Sequence, residues 1–360
     1  MKMKLLDKFL IKIIIIYFLS IFYLYSGSIF AFNPYNTKFY NIDIISNNIS
    51  SSKSDEIQKI KIKAFLEIID KLLIYSDKNK LIKKINYEQD LEKTIKNIII
   101  ENENITQNSY KAKIKVNFYQ NEIINLFRNY KINYTDIASD PFLLIVTFSD
   151  EFNNIGLSKN NPFYDLEKID ILSDNKNLLK LILPDLSIND RYILPYNKIT
   201  TNDLNSLNQI SKKYNINNFI IFKIKKIDTD YYKFNTNIFS LKNNEFYKLE
   251  DFKTDSIANI QQKFISFVND WWKNRNLIKI DKINTIVCSI NSIDYDDLIE
   301  IKSKIKNLSQ FKSSIINTIS LNNNTETISY YGSFDIFSKN LSFKNLQIKN
   351  NDICTINSIN

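Results

Sequence analysis

The sequence predicts an α+β chain of several domains, with small antiparallel or mixed sheets, packed helices and a C-terminal ferredoxin-like βαββαβ unit. Three observations carry this. Residues 110–118 alternate strictly, with Tyr110, Ala112, Ile114, Val116 and Phe118 on one face and Lys111, Lys113, Lys115 and Asn117 on the other, the pattern of a half-buried strand. Residues 53–75 instead repeat Ile57, Ile60, Ala64, Ile68 and Leu72 at helical spacing, with lysines on the opposite face. Residues 281–360 read as strand, helix, two strands, helix, strand, the split-βαβ order.

The elements follow in sequence. Tyr40, Ile42 and Ile44 alternate in a first strand over 39–49, and the helix over 53–75 starts after Ser52 or Ser54 as cap. Paired strands over 94–102 and 109–119 lead to a helix over 120–130 with Ile123, Ile124 and Phe127 inward. This completes a unit over 35–134. Residues 133–141 are a polar connector ending at Pro141, a boundary signal.

A mixed α/β unit is expected over 141–280. Its apolar run over 142–148 suits a sheet centre. A loop and short helix over 157–166 surround Asn161-Pro162, and a buried strand over 178–183 stops at Pro184. A helix over 203–214, capped by Thr201, Asn202 or Asp203, precedes strands over 218–227, 231–241 and 245–252. A long helix over 255–274 carries Ile257, Ile260, Phe264, Phe267, Val268 and Trp271 as its apolar stripe. The last unit, over 281–360, has strands over 282–290, 311–321, 325–331 and 352–359, and helices over 294–308 and 333–341.

The N-terminus sets an address. Lys2, Lys4, Lys8 and Lys12 precede an apolar run and a small-residue exit at Ser26-Gly27-Ser28-Ile29-Phe30-Ala31. A basic start, an apolar middle and small residues describe a signal peptide over 1–31. The alternative is a retained anchor in the inner membrane over residues 9–32, long enough to span a bilayer if Lys12 snorkels. Both readings place the remainder in the periplasm or cell envelope. Absence of a second comparable apolar run predicts that the remainder is soluble.

The composition excludes several chemistries. The chain has no His and three Gly, so no histidine base, histidine metal ligand or glycine-rich phosphate loop is available. Catalytic, cofactor and metal sites are therefore not assigned. The formal charge of +9 falls to +6 once the four lysines and one aspartate of residues 1–31 are removed. The remaining lysines are scattered among acids and asparagines, and Arg occurs only at 128, 191 and 275. Nucleic acid is not an expected partner, because arginine is the residue that reads phosphate and bases bidentately. Weak association with an anionic membrane surface fits the charge better.

Four groups of residues invite a functional reading. Asp294, Asp296, Asp297 and Glu300 are dense enough to suggest a hard-cation site, but no loop glycine is present, and they read better as first-turn acids of a helix. Asp185, Asp190 and Arg191 follow a strand between Pro184 and Pro195, where α/β sheets often place ligands, or they form a solvated connector. Trp271 and Trp272 cannot share a helix face, so one is core and the other, assigned as Trp272, marks a ligand or partner surface. Cys288 and Cys354 fall in the first and last strands of the third unit, neighbours in the split-βαβ order. An exported compartment permits a disulfide between them; two small buried hydrophobes are the alternative.

Several short motifs also occur in a persuasive order: Lys63-Ala64-Phe65-Leu66, Tyr134-Thr135-Asp136, Asn161-Pro162-Phe163, Leu183-Pro184-Asp185, Ser211-Lys212-Lys213-Tyr214, Trp272-Lys273 and Tyr331-Gly332-Ser333. In this order the chain resembles the proteobacterial envelope family called domain of unknown function 2066, in its longer form. It departs at Phe163, where that pattern has tryptophan. The resemblance implies an exported protein without assigned catalytic residues, whose middle unit is similar to domains of envelope assembly factors. The expected function is a non-catalytic envelope protein that binds other envelope proteins or components. The alternatives are a carboxylate-dependent cell-wall or carbohydrate-active enzyme, or a periplasmic ligand-binding protein with its site between the second and third units.

Overall fold

The computed structural model describes residues 33–164, 177–228, 231–254, 260–319, 324–350 and 354–359. The expected leader lies outside the described residues, as do Leu166 and Ile257. The chain is α+β, with three sheets within Pro34–Asn360. Among the described residues no helix is long and apolar enough to cross a membrane.

The first sheet is antiparallel in the order β1–β3–β2, from β1 (Tyr40–Ile45), β2 (Ile95–Ile105) and β3 (Ser109–Phe118). The alternating strand β3 takes the centre because its apolar side chains are buried, whereas Lys111 on its other face pairs with Asp43 at 2.9 Å. Helix α1 (Ile49–Leu72) buries Ile60, Ala64, Phe65, Ile68 and Leu72 on the sheet. Its cap is Asn48, not a serine: Asn48 Oδ1 accepts the Ser51 N–H at 3.2 Å. Helices α2 (Tyr75–Ile82) and α3 (Tyr87–Thr94) occupy a stretch that reads as polar. Each buries one large apolar residue, Leu81 or Leu91, too few to make a stripe. Helix α4 (Gln120–Asn129) buries Ile123, Ile124, Leu126 and Phe127.

The second sheet centres on β4 (Phe142–Ser149), whose first seven residues are all buried. Next come β5 (Asn154–Ile155), β6 (Leu181–Ile182) and the helices α5 (Ile188–Ile193), α6 (Tyr196–Thr200) and α7 (Leu204–Tyr214), the last capped by Asp203. Strand β7 (Asn218–Asp228) lies parallel to β4, and β8 (Tyr231–Ser240), β9 (Glu245–Lys248) and β10 (Phe252–Thr254) complete the sheet antiparallel. The buried strand expected over 178–183 shrinks to β6, with Ile182 41% exposed. Side chains take its place along β4. The Val146 N–H donates to Tyr164 Oη at 2.8 Å, that hydroxyl donates to the Leu144 carbonyl at 3.3 Å, and Asn161 Nδ2 donates to the Val146 carbonyl at 3.0 Å. Backbone groups in a core must be paired, and Asn161 and Tyr164 pair these without a strand.

Helix α8 (Ile260–Arg275) packs Ile260, Phe264, Val268 and Trp272 against this sheet. The four-residue step continues to Trp272 rather than Trp271, which corrects the predicted stripe. Phe222 of β7 is the aromatic hub, with Phe264 stacked at 4.0 Å and Phe163 edge-on at 5.5 Å. Burying rings of this size contributes roughly 2–3 kcal/mol each.

The third sheet is formed by β11 (Ile283–Asn291), helix α9 (Tyr295–Lys306), β12 (Phe311–Thr318), β13 (Asn324–Tyr331), helix α10 (Phe334–Ser342), β14 (Leu346–Asn350) and β15 (Cys354–Ser358). Its order is β12–β13–β11–β15–β14. The expected four-strand unit needs correction here. A fifth strand, β14, precedes the final one, and β15 turns back to pair parallel with β11. Strand β14 is short and follows α10 closely, so its pattern merges with the helix end. Cys288 and Cys354 sit opposite each other in that parallel pair and are bonded, with Cα atoms 4.5 Å apart. Gly332 has φ +84°, a left-handed conformation that L side chains rarely adopt, and its N–H donates to the Lys282 carbonyl at 2.8 Å.

Residues 133–141 are not a loose connector. Tyr134 bridges to Ile278, and its hydroxyl donates to the Ser309 carbonyl at 2.7 Å. Thr135 N–H donates to the Leu72 carbonyl at 3.0 Å, closing the end of α1. Asp136 accepts from Tyr35 at 3.0 Å and Ser309 at 2.8 Å, and the Ile137 carbonyl accepts from Trp272 Nε1 at 2.8 Å. One short segment thus ties all three sheets together, because its polar groups find partners in each.

Candidate functional site

Helix α8 ends between two concavities, and its last turns supply both. On one side lies a groove of 530 Å³ against α1, lined by Lys63, Glu67, Asp70, Lys78, Asn269 and Lys273 among others. Much of its polar surface holds the fold together. Lys273 Nζ donates to the Asp70 and Leu73 carbonyls at 2.6 and 2.8 Å, capping the C-terminus of α1 from a helix some 200 residues later. Lys78 pairs with Asp70, and Glu67 accepts from the Tyr40 hydroxyl at 2.5 Å.

On the other side lies a cleft of 360 Å³, at the starts of the parallel strands β4 and β7 and beside the third sheet. Its walls are aromatic. Trp271 lies 6.1 Å from Trp272, 6.3 Å from Phe142 and 5.7 Å from Tyr247 between ring centres. Asn218, Ser240 and Asn243 supply polar groups, and Asp140, Glu245, Arg275 and Lys339 supply charge. Arg275 donates to both Glu245 oxygens at 3.1 Å and stacks over Tyr247 at 4.3 Å. Lys339 reaches in from α10. Its Nζ donates to Asn276 Oδ1 at 2.8 Å and lies 4.2 Å from the Trp272 ring centre. Burial pushes the Lys339 ammonium down to about 8, Arg275 adds to the fall, and Asp140 and Glu245 oppose it.

Flat rings beside a few fixed polar groups suit a small ligand with one planar apolar face and a polar edge. The chain has only two tryptophans, and both line this cleft. Trp272 itself is buried, with 6% exposed, so its assignment to a partner surface is corrected: it is core, and the half-buried Trp271 is the more open ring. The doublet was the one signal in the sequence for this site. Lys339, Arg275, Tyr247 and Asp140 carried none, because each comes from a different stretch.

The other predicted residues lie elsewhere. The Asp190 side chain is wholly buried, where Lys213 donates to it at 2.6 Å, Tyr214 at 2.9 Å and the Ser187 N–H at 3.0 Å. Burial raises the Asp190 carboxyl, but the bonds from Lys213, Tyr214 and Ser187 outweigh it and hold the group below the usual range. The bond to Asp190 raises Lys213, and burial lifts Tyr214 to about 12. An ionised carboxylate beside a firmly protonated lysine is a staple between α5 and α7, not a base, which corrects the surface assigned to Asp190. Asp185 joins its rim, 3.4 Å from Lys213, while Arg191 is exposed and outside the cluster. Asp294 caps α9 through the Asp297 N–H at 2.8 Å, Asp297 accepts from Ser358 at 3.1 Å, and Glu300 pairs with Lys304 at 2.7 Å. No family model, no curated protein and no solved structure matches the chain.

Proposed function

We propose that the protein is a non-catalytic, exported envelope protein that binds another envelope component, with the Trp271–Trp272 cleft as the ligand site. The observation that carries this reading is the cleft itself: 360 Å³ walled by Trp271, Trp272, Phe142 and Tyr247, with its strongest charges already engaged. Glu245 is held by Arg275, and Lys339 by Asn276 and the Trp272 face. Groups so placed fix the orientation of a bound ligand. The basic, apolar N-terminus supports export, and the motif order resembling domain of unknown function 2066 supports the envelope.

Intrinsic fluorescence reports directly on this site, since both tryptophans lie there. Titration with soluble cell-wall saccharide fragments should give a saturable change in the native protein and none in Trp271→Ala. A flat response to those fragments, together with identical capture profiles of native protein and Trp271→Ala from cross-linked envelopes, would remove the reading. Fractionation tests the address: full-length chain recovered only from the cytosol contradicts export.

A further inference from the structure

Lys71 and Lys339 are desolvated to a similar basicity in very different settings. Burial brings both Lys71 and Lys339 down to about 8. Lys71 is 2% exposed in the core of the first unit, where its Nζ donates to the Asn36 carbonyl at 3.1 Å. Lys339 is only partly buried and lines the aromatic cleft. A desolvated lysine next to another cation is the usual arrangement of an amine that attacks carbonyl carbon. Arg275 is that cation, Asp140 and Glu245 are the acids that face the amine, and the Trp272 ring and Asn276 hold it in place.

We propose that Lys339 captures a small aldehyde or ketone in this cleft as a reversible imine. The Nζ lone pair forms the new C–N bond at the carbonyl carbon. The carbonyl C–O bond then breaks, and the oxygen leaves as water with the two protons of the neutral amine. No electrons change hands, and hydrolysis returns both partners. The cleft has room for about ten water-sized groups, which fits a carbonyl compound of a few carbons and a polar tail. Capture is retention rather than turnover, so it agrees with a binding protein. The inference rests on the cleft being a ligand site.

The probe is glyceraldehyde, with glycerol as its carbonyl-free counterpart and cyanoborohydride to reduce any imine to a stable amine. Peptide mapping at neutral pH should find Lys339 labelled roughly tenfold or more faster than exposed lysines, which stay protonated up to about pH 10. Lys71 should remain unlabelled. The Lys339 rate should reach half its plateau near pH 8. Lys339→Arg should abolish the label, and Trp271→Ala should slow it. Labelling of Lys339 no faster than exposed lysines, or equal labelling of Lys71, overturns the inference. If fluorescence still reports saturable binding in that case, the cleft stands as a ligand site and only the covalent step falls. If labelling and fluorescence both fail with glyceraldehyde while saccharide fragments bind, carbonyl capture is likewise overturned.

Discussion

The first and third sheets are built on one plan and secured in two ways. In each, a strand and a helical crossover lead to a hairpin, a further helix follows, and the first strand lies against the third with the second outside it. The orders are β1–β3–β2 and β11–β13–β12, antiparallel throughout. The first unit crosses with a helix of 24 residues followed by the short α2 and α3, the third with one helix of 12. The long helix buries more apolar surface, and its C-terminus is capped by Lys273 from α8. The short helix buries Leu298, Ile301 and Ile305. There the chain adds β15 beside β11 and bonds Cys354 to Cys288. The lesson is that one topology tolerates a smaller core when the outer edge of its first strand is paired and covalently closed.

The largest test of this contrast is the disulfide. It spans a sequence separation of 66, and chain-entropy reasoning gives such a loop about 4 kcal/mol. Cys288→Ala with Cys354→Ala should make the third unit melt first in calorimetry, with amide exchange in the first sheet unchanged. Uniform loss across both sheets would show that the two are one cooperative unit.

Lys273→Met should cost about 2 kcal/mol, because two carbonyls at the end of α1 lose their donor inside the core. Burial already lowers the Lys273 ammonium, so relief of that burial offsets part of the loss. Hydrogen exchange should locate the effect in the last turn of α1, and an effect confined to α8 would contradict the cap.

Asp136 joins the two units, and burial raises its carboxyl. A raised carboxyl stabilises the fold fully below its unfolded value near 4 and loses that contribution as pH rises through the folded value. Asp136→Asn, which cannot ionise, should therefore flatten the fall in stability that the native protein shows as pH rises above about 4. Urea titrations at a series of pH values measure it, and parallel curves for both proteins would count against the assignment.

The smallest effects are at the equivalent helix starts. Asp294→Ala should cost about 1 kcal/mol and Asn48→Ala about half that, since a cap lost from a long helix is absorbed by fraying. Asp297 also accepts from Ser358 of β15, which ties the short helix start to the closing strand. Equal losses in chemical denaturation would make helix length irrelevant.

Much of this plan was legible in the residues. The alternation through Tyr110–Phe118 and the spacing through Ile60, Ala64 and Ile68 need only period and polarity to be read. The short helices around Leu81 and Leu91 escaped because each contributes a single large apolar anchor. Strand β14 escaped because five residues after a helix show little pattern. Asn161 stood out only within a motif and Tyr164 not at all, and their task of pairing the β4 backbone is a matter of space. The candidate cleft was legible only as the Trp271–Trp272 doublet.

By itself, then, the sequence determined the α+β class, the order of most strands and helices, and the want of histidine chemistry. These depend on local periodicity and on which side chains exist. Only the tertiary structure decided that Trp272 turns inward, that Asp190 is sealed by Lys213, and that Lys339 meets Arg275 and Trp272 in one cleft. Such encounters join residues far apart in the chain, and the packing of three sheets around residues 133–141 sets them.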